Sequence, residues 1–118
     1  MTGKVVVLST CSSQDEAERL GSAVVEKHLA ACVTVMPKVT SIYRWKGAVE
    51  KATEWMLLIK TRRDLFDELS AELKRLHSYE VPEIIALTVV NGNAPYLDWI
   101  DRETVHPPEG EDDPESRR

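Results

Sequence analysis

The sequence predicts an α+β fold whose central feature is a long β-hairpin. Segments with a β-strand pattern and segments with helically spaced apolar residues alternate in the order β-α-β-β-α-β-α. The second and third β segments, residues 29–45 and 53–61, are long and are joined by a turn at Lys46-Gly47. This order is the split βαβ, or ferredoxin-like, pattern with an added C-terminal helix. We therefore expect a sandwich in which two helices cover one face of the sheet.

The first half of the chain supplies a strand, a helix and the start of the hairpin. The apolar run 5–8 predicts a short buried strand. Ser13, followed three residues later by Glu16, is typical of a capping box, so a helix is predicted over residues 14–29. Pro37 cannot donate a hydrogen bond to a strand ladder, so we expect a bulge or bend at that point of the hairpin.

The second half of the chain supplies a helix, a strand and a last short helix. We expect Asp64 to cap the second helix. The apolar stripe of that helix consists of Leu65, Leu69, Leu73 and Leu76. Residues 83–90 predict the fourth strand, and Asn93 is expected to cap a helix over residues 95–100.

The apolar residues of the strands predict self-association. Two helices leave one sheet face open, and an open face normally alternates apolar with polar residues. Here Trp55, Leu57 and Ile59 point to one face, while Met56 and Leu58 point to the other. Both faces are thus expected to be buried, which requires further copies of the chain. Three large aromatic residues at the outer end of the hairpin form the predicted interface: Tyr43, Trp45 and Trp55.

Length and charge limit the domain organisation and the partners. A chain of 118 residues is long enough for one domain, expected over residues 1–105. Residues 106–118 are acidic, rich in proline and without large apolar groups, so a disordered tail is predicted there. A net charge of −5 without a basic stripe argues against nucleic acid as a partner. No apolar segment is long enough to span a membrane or form a signal peptide, which predicts a cytoplasmic protein without a membrane partner.

Two cysteines and one histidine form a possible soft-metal set. Cys11 and Cys32 fit reduced thiols better than a disulfide framework. Together with His77 they favour copper or zinc over magnesium. We expect Cys11 at the end of the first strand, His77 in the loop before the fourth, and these two strands not to be direct neighbours. The alternative is that Cys32 is a small core residue and Cys11 a half-exposed thiol.

Other polar and aromatic residues leave several interpretations open. Glu83 is interpreted either as the ion-pair partner of Lys60 or as a catalytic carboxylate. His28 fits a capping or packing residue better than a ligand. The aromatic residues Tyr43, Trp45, Trp55, Tyr96 and Trp99 favour interface packing over ligand stacking.

Five motifs follow one another along the chain: residues 27–33, 41–47, 59–61, 77–87 and 91–99. Together they resemble the CutA divalent-cation tolerance proteins, over residues 5–100. The resemblance implies a ferredoxin-like homotrimer whose long hairpins pack across subunits, with a trimer similar to that of the P-II signal-transduction proteins. It further implies a role in copper and divalent-metal tolerance, no established enzymatic activity and no required cofactor.

The resemblance also implies a candidate metal site. His77 matches the histidine of members discussed as copper binders, whereas Ser9 stands at their cysteine position. Cys11 lies two residues later, on the same strand face. The predicted site is therefore His77, Cys11 and Glu80, with copper or another divalent metal as the ion.

Two other functions remain alternatives. One is a P-II-like small-ligand sensor with intersubunit clefts. Its ligand would contact Lys60, Tyr79, Glu83, Tyr96 and Trp99. The other is a trimeric scaffold for a partner protein. An enzyme is not expected, because the loop after the first strand, residues 9–13, lacks a phosphate-cradling sequence with an arginine.

Overall fold

The predicted element order is confirmed. In the computed structural model, which describes residues 1–104, four strands and three α-helices follow one another as expected for an α+β fold. They are β1 (Lys4–Cys11), α1 (Gln14–Glu26), β2 (Cys32–Trp45), β3 (Ala48–Arg62), α2 (Phe66–Leu76), β4 (Ile85–Thr88) and α3 (Ala94–Glu103). The predicted tail, residues 106–118, lies outside the described residues. Within residues 1–104, none of the helices is long and apolar enough to cross a membrane.

The strands form one antiparallel sheet in the order β2-β3-β1-β4. β1 therefore lies between β3 and β4, and Val7 is paired with both Ile59 and Ala86. The expectation that the first and fourth strands are not direct neighbours is wrong. The helix α2 carries the chain from β3 across β1, so β4 joins the edge of β1 that the hairpin leaves free.

The core lies between the sheet and two of the helices. Val7 of β1 and Leu57 and Ile59 of β3 are fully buried against α1 and α2. The helices contribute their apolar stripes: Leu20 and Val24 from α1, and Leu69 and Leu73 from α2. The predicted leucine stripe of the second helix is thus confirmed. The opposite face is less covered, and every residue of β4 is exposed.

The ends of α1 and α2 differ from the predictions. Ser13 caps α1 as expected, accepting from the Glu16 amide at 3.1 Å. The helix ends at Glu26 rather than at residue 29, because His28 adopts a left-handed φ of 59°. The expected Asp64 cap is wrong: a 3₁₀ turn, Arg63–Leu65, precedes α2, and Asp64 pairs with Arg62 at 3.3 Å.

The fourth strand and the last helix also differ in extent. β4 covers Ile85–Thr88 rather than residues 83–90, and the predicted helix over residues 95–100 continues to Glu103. Asn93 occupies the N-cap position of α3 as predicted, but its side chain makes no capping hydrogen bond.

The hairpin has the predicted turn and bulge. Lys46 and Gly47 both have positive φ, 50° and 83°, as a two-residue type I′ turn requires. The ladder between β2 and β3 shifts register between Met36 and Val39, around Pro37. The last pair between β3 and β1 is Trp55 with Cys11, and beyond it β2 and β3 pair only with each other. The hairpin therefore projects past the end of β1.

The placement of Trp55 at the outer end of the hairpin is wrong. Trp55 lies opposite Cys11, where the hairpin leaves the sheet, and it packs against the core of its own chain. Tyr43 and Trp45 do lie at the outer end, where they are 43% and 45% exposed.

Candidate functional site

A cleft opens where β1 ends, between the projecting hairpin and the segment that follows α2. Its volume is about 810 Å³. One wall is formed by hairpin residues, among them Tyr43, Trp45 and Glu54. The other is formed by residues 78–83. Thr10, the penultimate residue of β1, closes its end. The cleft is thus a consequence of the hairpin being longer than β1.

His77 joins the segment 78–83 to the end of β1. It is the C-cap of α2, and its side chain is fully buried. The ring Nε2 lies 2.8 Å from the carbonyl oxygen of Thr10, and the ring Nδ1 lies 3.0 Å from the amide nitrogen of Tyr79. The Tyr79 amide can only donate, so Nδ1 accepts and Nε2 carries the proton and donates. Both ring nitrogens of His77 are therefore engaged within the chain.

Glu16 fixes the same segment from the first turn of α1. Its carboxylate accepts from the Ser78 amide at 2.8 Å and from the Ser78 hydroxyl at 2.9 Å. It also accepts from the amide and the hydroxyl of Ser12, at 3.3 and 3.0 Å. The expected capping box is therefore only half formed, since Glu16 reaches Ser12 and not Ser13. Burial opposes ionisation of Glu16, but the hydrogen bonds from Ser78 and Ser12 lower its pKa overall.

Cys11 ends β1 beside Thr10, as the sequence predicts. It is fully buried rather than half-exposed, and its sulfur donates to the Ser13 carbonyl at 3.5 Å. Burial raises the pKa of the Cys11 thiol. A metal ion bound there would have to displace the thiol proton, because the thiolate is the ligand form.

Tyr79 closes the inner end of the cleft by bonding across it. Its hydroxyl donates to Glu54 Oε2 at 2.6 Å. Burial raises the pKa of Tyr79 well above its ordinary value, and the bond to the Glu54 carboxylate raises it further. The hydroxyl therefore stays a donor at neutral pH. Glu54 is 7% exposed and lies one residue past the last pair between β3 and β1.

The three residues of the predicted metal site lie at the same end of the molecule. The His77 ring contacts the backbone of Thr10, the neighbour of Cys11, at the end of β1. Glu80 is exposed on the wall of the cleft. In the part of the chain that the structure describes, no three His, Cys, Asp or Glu side chains are arranged to hold a metal ion. A metal site at these residues stays a prediction.

The residues predicted for a ligand cleft lie in two separate groups within one chain. Tyr79 and Glu83 line the cleft described above. Lys60 lies six residues along β3 from Glu54, roughly 20 Å away. The other group consists of Lys60 with Tyr96 and Trp99 of α3, whose ring centroids are 5.6 Å apart.

Lys60 is bound within its own surroundings and not to Glu83. Its ammonium group donates to the Thr34 hydroxyl and lies 3.7 Å from the Cys32 sulfur. The ion-pair interpretation of Glu83 and Lys60 is therefore not what the described residues show. The side chain of His28 is hydrogen-bonded to the end of α3: its Nδ1 lies 3.0 Å from the Glu103 carbonyl oxygen.

Sequence reasoning missed three residues that build the cleft. The sequence predicts Glu16 only as a capping residue, although a carboxylate in the first turn of a helix can also reach a distant segment. Glu54 is a charged residue inside a β-rich run. Its position next to Trp55 is the sequence signal that could have indicated a role in the cleft. Ser78 gave no signal, because its two hydrogen bonds to Glu16 depend on tertiary packing.

Comparison with known proteins places the whole sheet-and-helix body in one family. A family model described as "CutA1 divalent ion tolerance protein" matches residues 5–103. The chain is 48% identical over 99 residues to the divalent-cation tolerance protein CutA of Thermus thermophilus, covering 84% of this chain and 96% of that protein. It is 47% identical over 91 residues to the human protein CutA, covering 77% of this chain. The chain spans about half the length of the human and mouse proteins, 51% and 54%.

A solved structure gives the same result. The structure of a protein described as the periplasmic divalent cation tolerance protein CutA from Archaeoglobus fulgidus superposes with a TM-score of 0.84. It is 39% identical, and the match covers 86% of this chain and 99% of that one. Because that relative is described as periplasmic, a cytoplasmic location for this chain stays a prediction. The sequence and structure matches together establish that the chain belongs to the CutA1 divalent ion tolerance family.

Proposed function

We propose that this protein acts in tolerance of divalent metal ions as a non-enzymatic homotrimer that binds copper weakly. The metal-binding residues are His77 and Cys11, with Glu80 as an oxygen donor. The observation that supports the proposal is that the buried His77 side chain contacts the backbone of Thr10, next to the buried thiol of Cys11. Imidazole nitrogen and thiolate sulfur are the donors that soft metals prefer.

The contacts of these donors account for weak binding. To coordinate a metal through Nδ1, His77 must give up its bond from the Tyr79 amide. Cys11 must lose its proton, and burial opposes this. Both costs reduce the net affinity of the site. Binding also weakens as pH falls, because protons compete for the same donor atoms.

Exposed apolar side chains support the homotrimer. At the outer end of the hairpin Ile42 and Val49 are 68% and 65% exposed. On β4, Ile85 and Leu87 are about half exposed. Scattered apolar residues are ordinary on a surface, but β4 is also an edge strand of the sheet, with unpaired backbone groups. Neighbouring copies of the chain that cover both regions would remove the apolar side chains and the unpaired backbone groups from water.

A copper titration of paired variants tests the metal assignment. The variant Cys11→Ser/His77→Ala is compared with Cys32→Ser/His28→Ala, which removes the same residue types elsewhere in the described chain. We expect the first variant to lose copper binding and the second to bind like the wild type, measured by calorimetry at neutral pH. Wild-type binding by Cys11→Ser/His77→Ala contradicts the assignment.

A second candidate is a small-ligand sensor. Lys60 and the Tyr96–Trp99 aromatic pair favour it, because a cation and a stacking surface suit an anionic ligand with a planar group. A thermal-shift screen with nucleotides and small carboxylates tests it, with Lys60→Met as the control. No shift with any of these ligands argues against the sensor and leaves the metal role or a scaffold for a partner protein.

A further inference from the structure

The Glu54 carboxylate lines the cleft without a cationic partner. Its side chain belongs to the hairpin wall and is 7% exposed. Within residues 1–104 the carboxylate accepts one hydrogen bond, from the Tyr79 hydroxyl to Oε2, and it forms no ion pair with a basic side chain. Burial, and then the Glu54 carboxylate itself, raise the pKa of Tyr79, so this donor is uncharged at neutral pH. Buried charges in proteins are normally paired. The described part of the chain therefore supplies no positive charge to balance this one.

The opposite wall adds further negative charge. Glu80 and Glu83 are both exposed on the segment that follows α2, and both line the cleft. Among the described residues that line the cleft, none is a lysine or an arginine. A cleft lined by charges of one sign concentrates ions of the opposite sign. The cleft thus favours a cation.

The rest of the lining is aromatic and apolar. Tyr43 and Trp45 are half exposed on the hairpin wall, and an ammonium group already lies near one of them: Lys46 Nζ is 5.9 Å from the centroid of the Trp45 ring. This is within the range of a cation–π contact. Ile42 and Val81, one on each wall, are 68% and 70% exposed. Such surfaces suit a cation carried on a hydrocarbon chain better than a hydrated metal ion.

The size of the cleft agrees with an organic ligand. Small-molecule sites usually enclose about 300–1,000 Å³, and this cleft encloses about 810 Å³. Within residues 1–104, no three acidic, histidine or cysteine side chains are arranged to hold a metal ion.

We propose that the cleft binds an alkyl diamine or polyamine. One ammonium group pairs with the buried carboxylate of Glu54. The methylene chain lies against Ile42 and Val81, and a second ammonium group lies near Glu80 and Glu83. Charge on both walls thus selects a ligand with more than one positive group, and the apolar surfaces select a flexible chain between them.

This inference goes beyond the metal proposal and shares only Glu80 with it. The measurements are therefore made on metal-free protein. Cys11→Ser removes a proposed metal ligand that does not line the cleft, so it should bind a diamine like the wild type whether or not the metal assignment holds. Loss of diamine binding in Cys11→Ser would contradict a site confined to the cleft.

Calorimetric titration with putrescine at low ionic strength tests the proposal. Two reference ligands separate its parts: Mg²⁺ carries the same charge without the carbon chain, and butanediol carries the same chain without the charge. We expect saturable binding of about one putrescine per chain and no saturable binding of either reference ligand. Added salt should weaken putrescine binding. A wild-type protein that does not bind putrescine, or that binds Mg²⁺ or butanediol equally well, overturns the proposal.

A matched pair of variants tests the role of the buried carboxylate. Glu54→Gln keeps an acceptor for the Tyr79 hydroxyl but removes the charge, and it should weaken putrescine binding roughly tenfold or more. Glu68→Gln, an exposed residue of α2, is the control and should bind like the wild type. Wild-type affinity in Glu54→Gln overturns the proposal. If circular dichroism shows that Glu54→Gln is unfolded, the exposed Glu83→Gln replaces it. That variant should weaken binding about threefold, and wild-type affinity there overturns the proposal in the same way.

Discussion

The Glu16 carboxylate lies 2.8 Å from the amide nitrogen of Ser78, although the two residues are 62 positions apart in the sequence. This contact joins the first turn of α1 to the segment that forms one wall of the cleft. The same carboxylate accepts three further hydrogen bonds, from the Ser78 hydroxyl and from both polar groups of Ser12. One buried acid therefore holds together three parts of the chain around the candidate metal site.

Replacing this acid should destabilise the protein. Glu16 is 4% exposed. Glu16→Gln replaces one carboxylate oxygen by an NH₂ group, which cannot accept a hydrogen bond, so some of the donors on Ser12 and Ser78 lose their acceptor. We expect a loss of about 1–3 kcal/mol in the free energy of unfolding. Glu18→Gln is the control, since Glu18 is exposed on the same helix. Urea unfolding measures both variants, and equal stabilities would contradict the role of Glu16.

Acid should destabilise the protein through Glu72. Hydrogen bonds from Arg75 and then from Lys27 lower the pKa of Glu72 to about 2, from an ordinary value of 4.5. Since the folded pKa lies below the unfolded one, the contribution is fully present above about pH 4.5 and is lost as pH falls towards 2. Both basic partners are more than half exposed, so the effect is modest and falls with added salt.

The comparison of Glu72→Gln with the wild type isolates this effect. We expect the variant to lose less stability than the wild type between pH 5 and pH 2.5 in urea unfolding. The slope of its unfolding free energy against pH should be smaller by about the contribution of one bound proton. Asp67→Asn, on the same helix, serves as the matched control and should keep the wild-type slope. Identical slopes for Glu72→Gln and the wild type would rule out the depressed pKa.

The bond between Tyr79 and Glu54 should contribute measurably to stability, because Glu54 is nearly buried. Tyr79→Phe removes the hydroxyl and leaves a nearly buried carboxylate without this donor. We expect a loss of about 1–3 kcal/mol in the free energy of unfolding. In the double variant Tyr79→Phe/Glu54→Gln the loss should be less than the sum of the single losses. Tyr43→Phe, on the opposite wall of the cleft, is the control; additive losses would show that the two residues act independently.

Removing an aromatic residue from the hairpin should lower both melting temperature and assembly. Trp45→Ala removes a half-exposed indole from the proposed subunit interface. We expect this to weaken the free energy of association by about 2 kcal/mol or more at each contact between subunits. Folding and assembly are linked, so the melting temperature should then depend more steeply on protein concentration. Val25→Ala, an exposed apolar residue of α1, is the control. A stable, folded monomer of Trp45→Ala that melts like the wild type would place the interface elsewhere.

The sequence predicted the elements well because local signals determine them. Ser13 caps α1, Lys46 and Gly47 form the hairpin turn, and the bulge occurs at Pro37. Element ends were predicted less well. His28 terminates α1 by a backbone conformation that no short-range pattern indicates, and Asp64 is drawn into a pair with Arg62 instead of capping α2.

The candidate site was predicted only in part, because tertiary contacts build it. The sequence indicated Cys11, His77 and the aromatic hairpin end, but not that β4 lies beside β1. The sequence also does not predict that Glu16 and Glu54 are buried, because the burial of each depends on where the segment after α2 packs.

Native mass spectrometry of the protein, with and without stoichiometric copper, tests whether it is a homotrimer that binds copper. We expect a homotrimer that takes up about one copper ion per chain, and a trimer without copper when Cys11→Ser/His77→Ala is measured in the same way. A wild-type trimer that takes up no copper would contradict the metal assignment while leaving the proposed assembly intact. A monomer would contradict the proposed assembly.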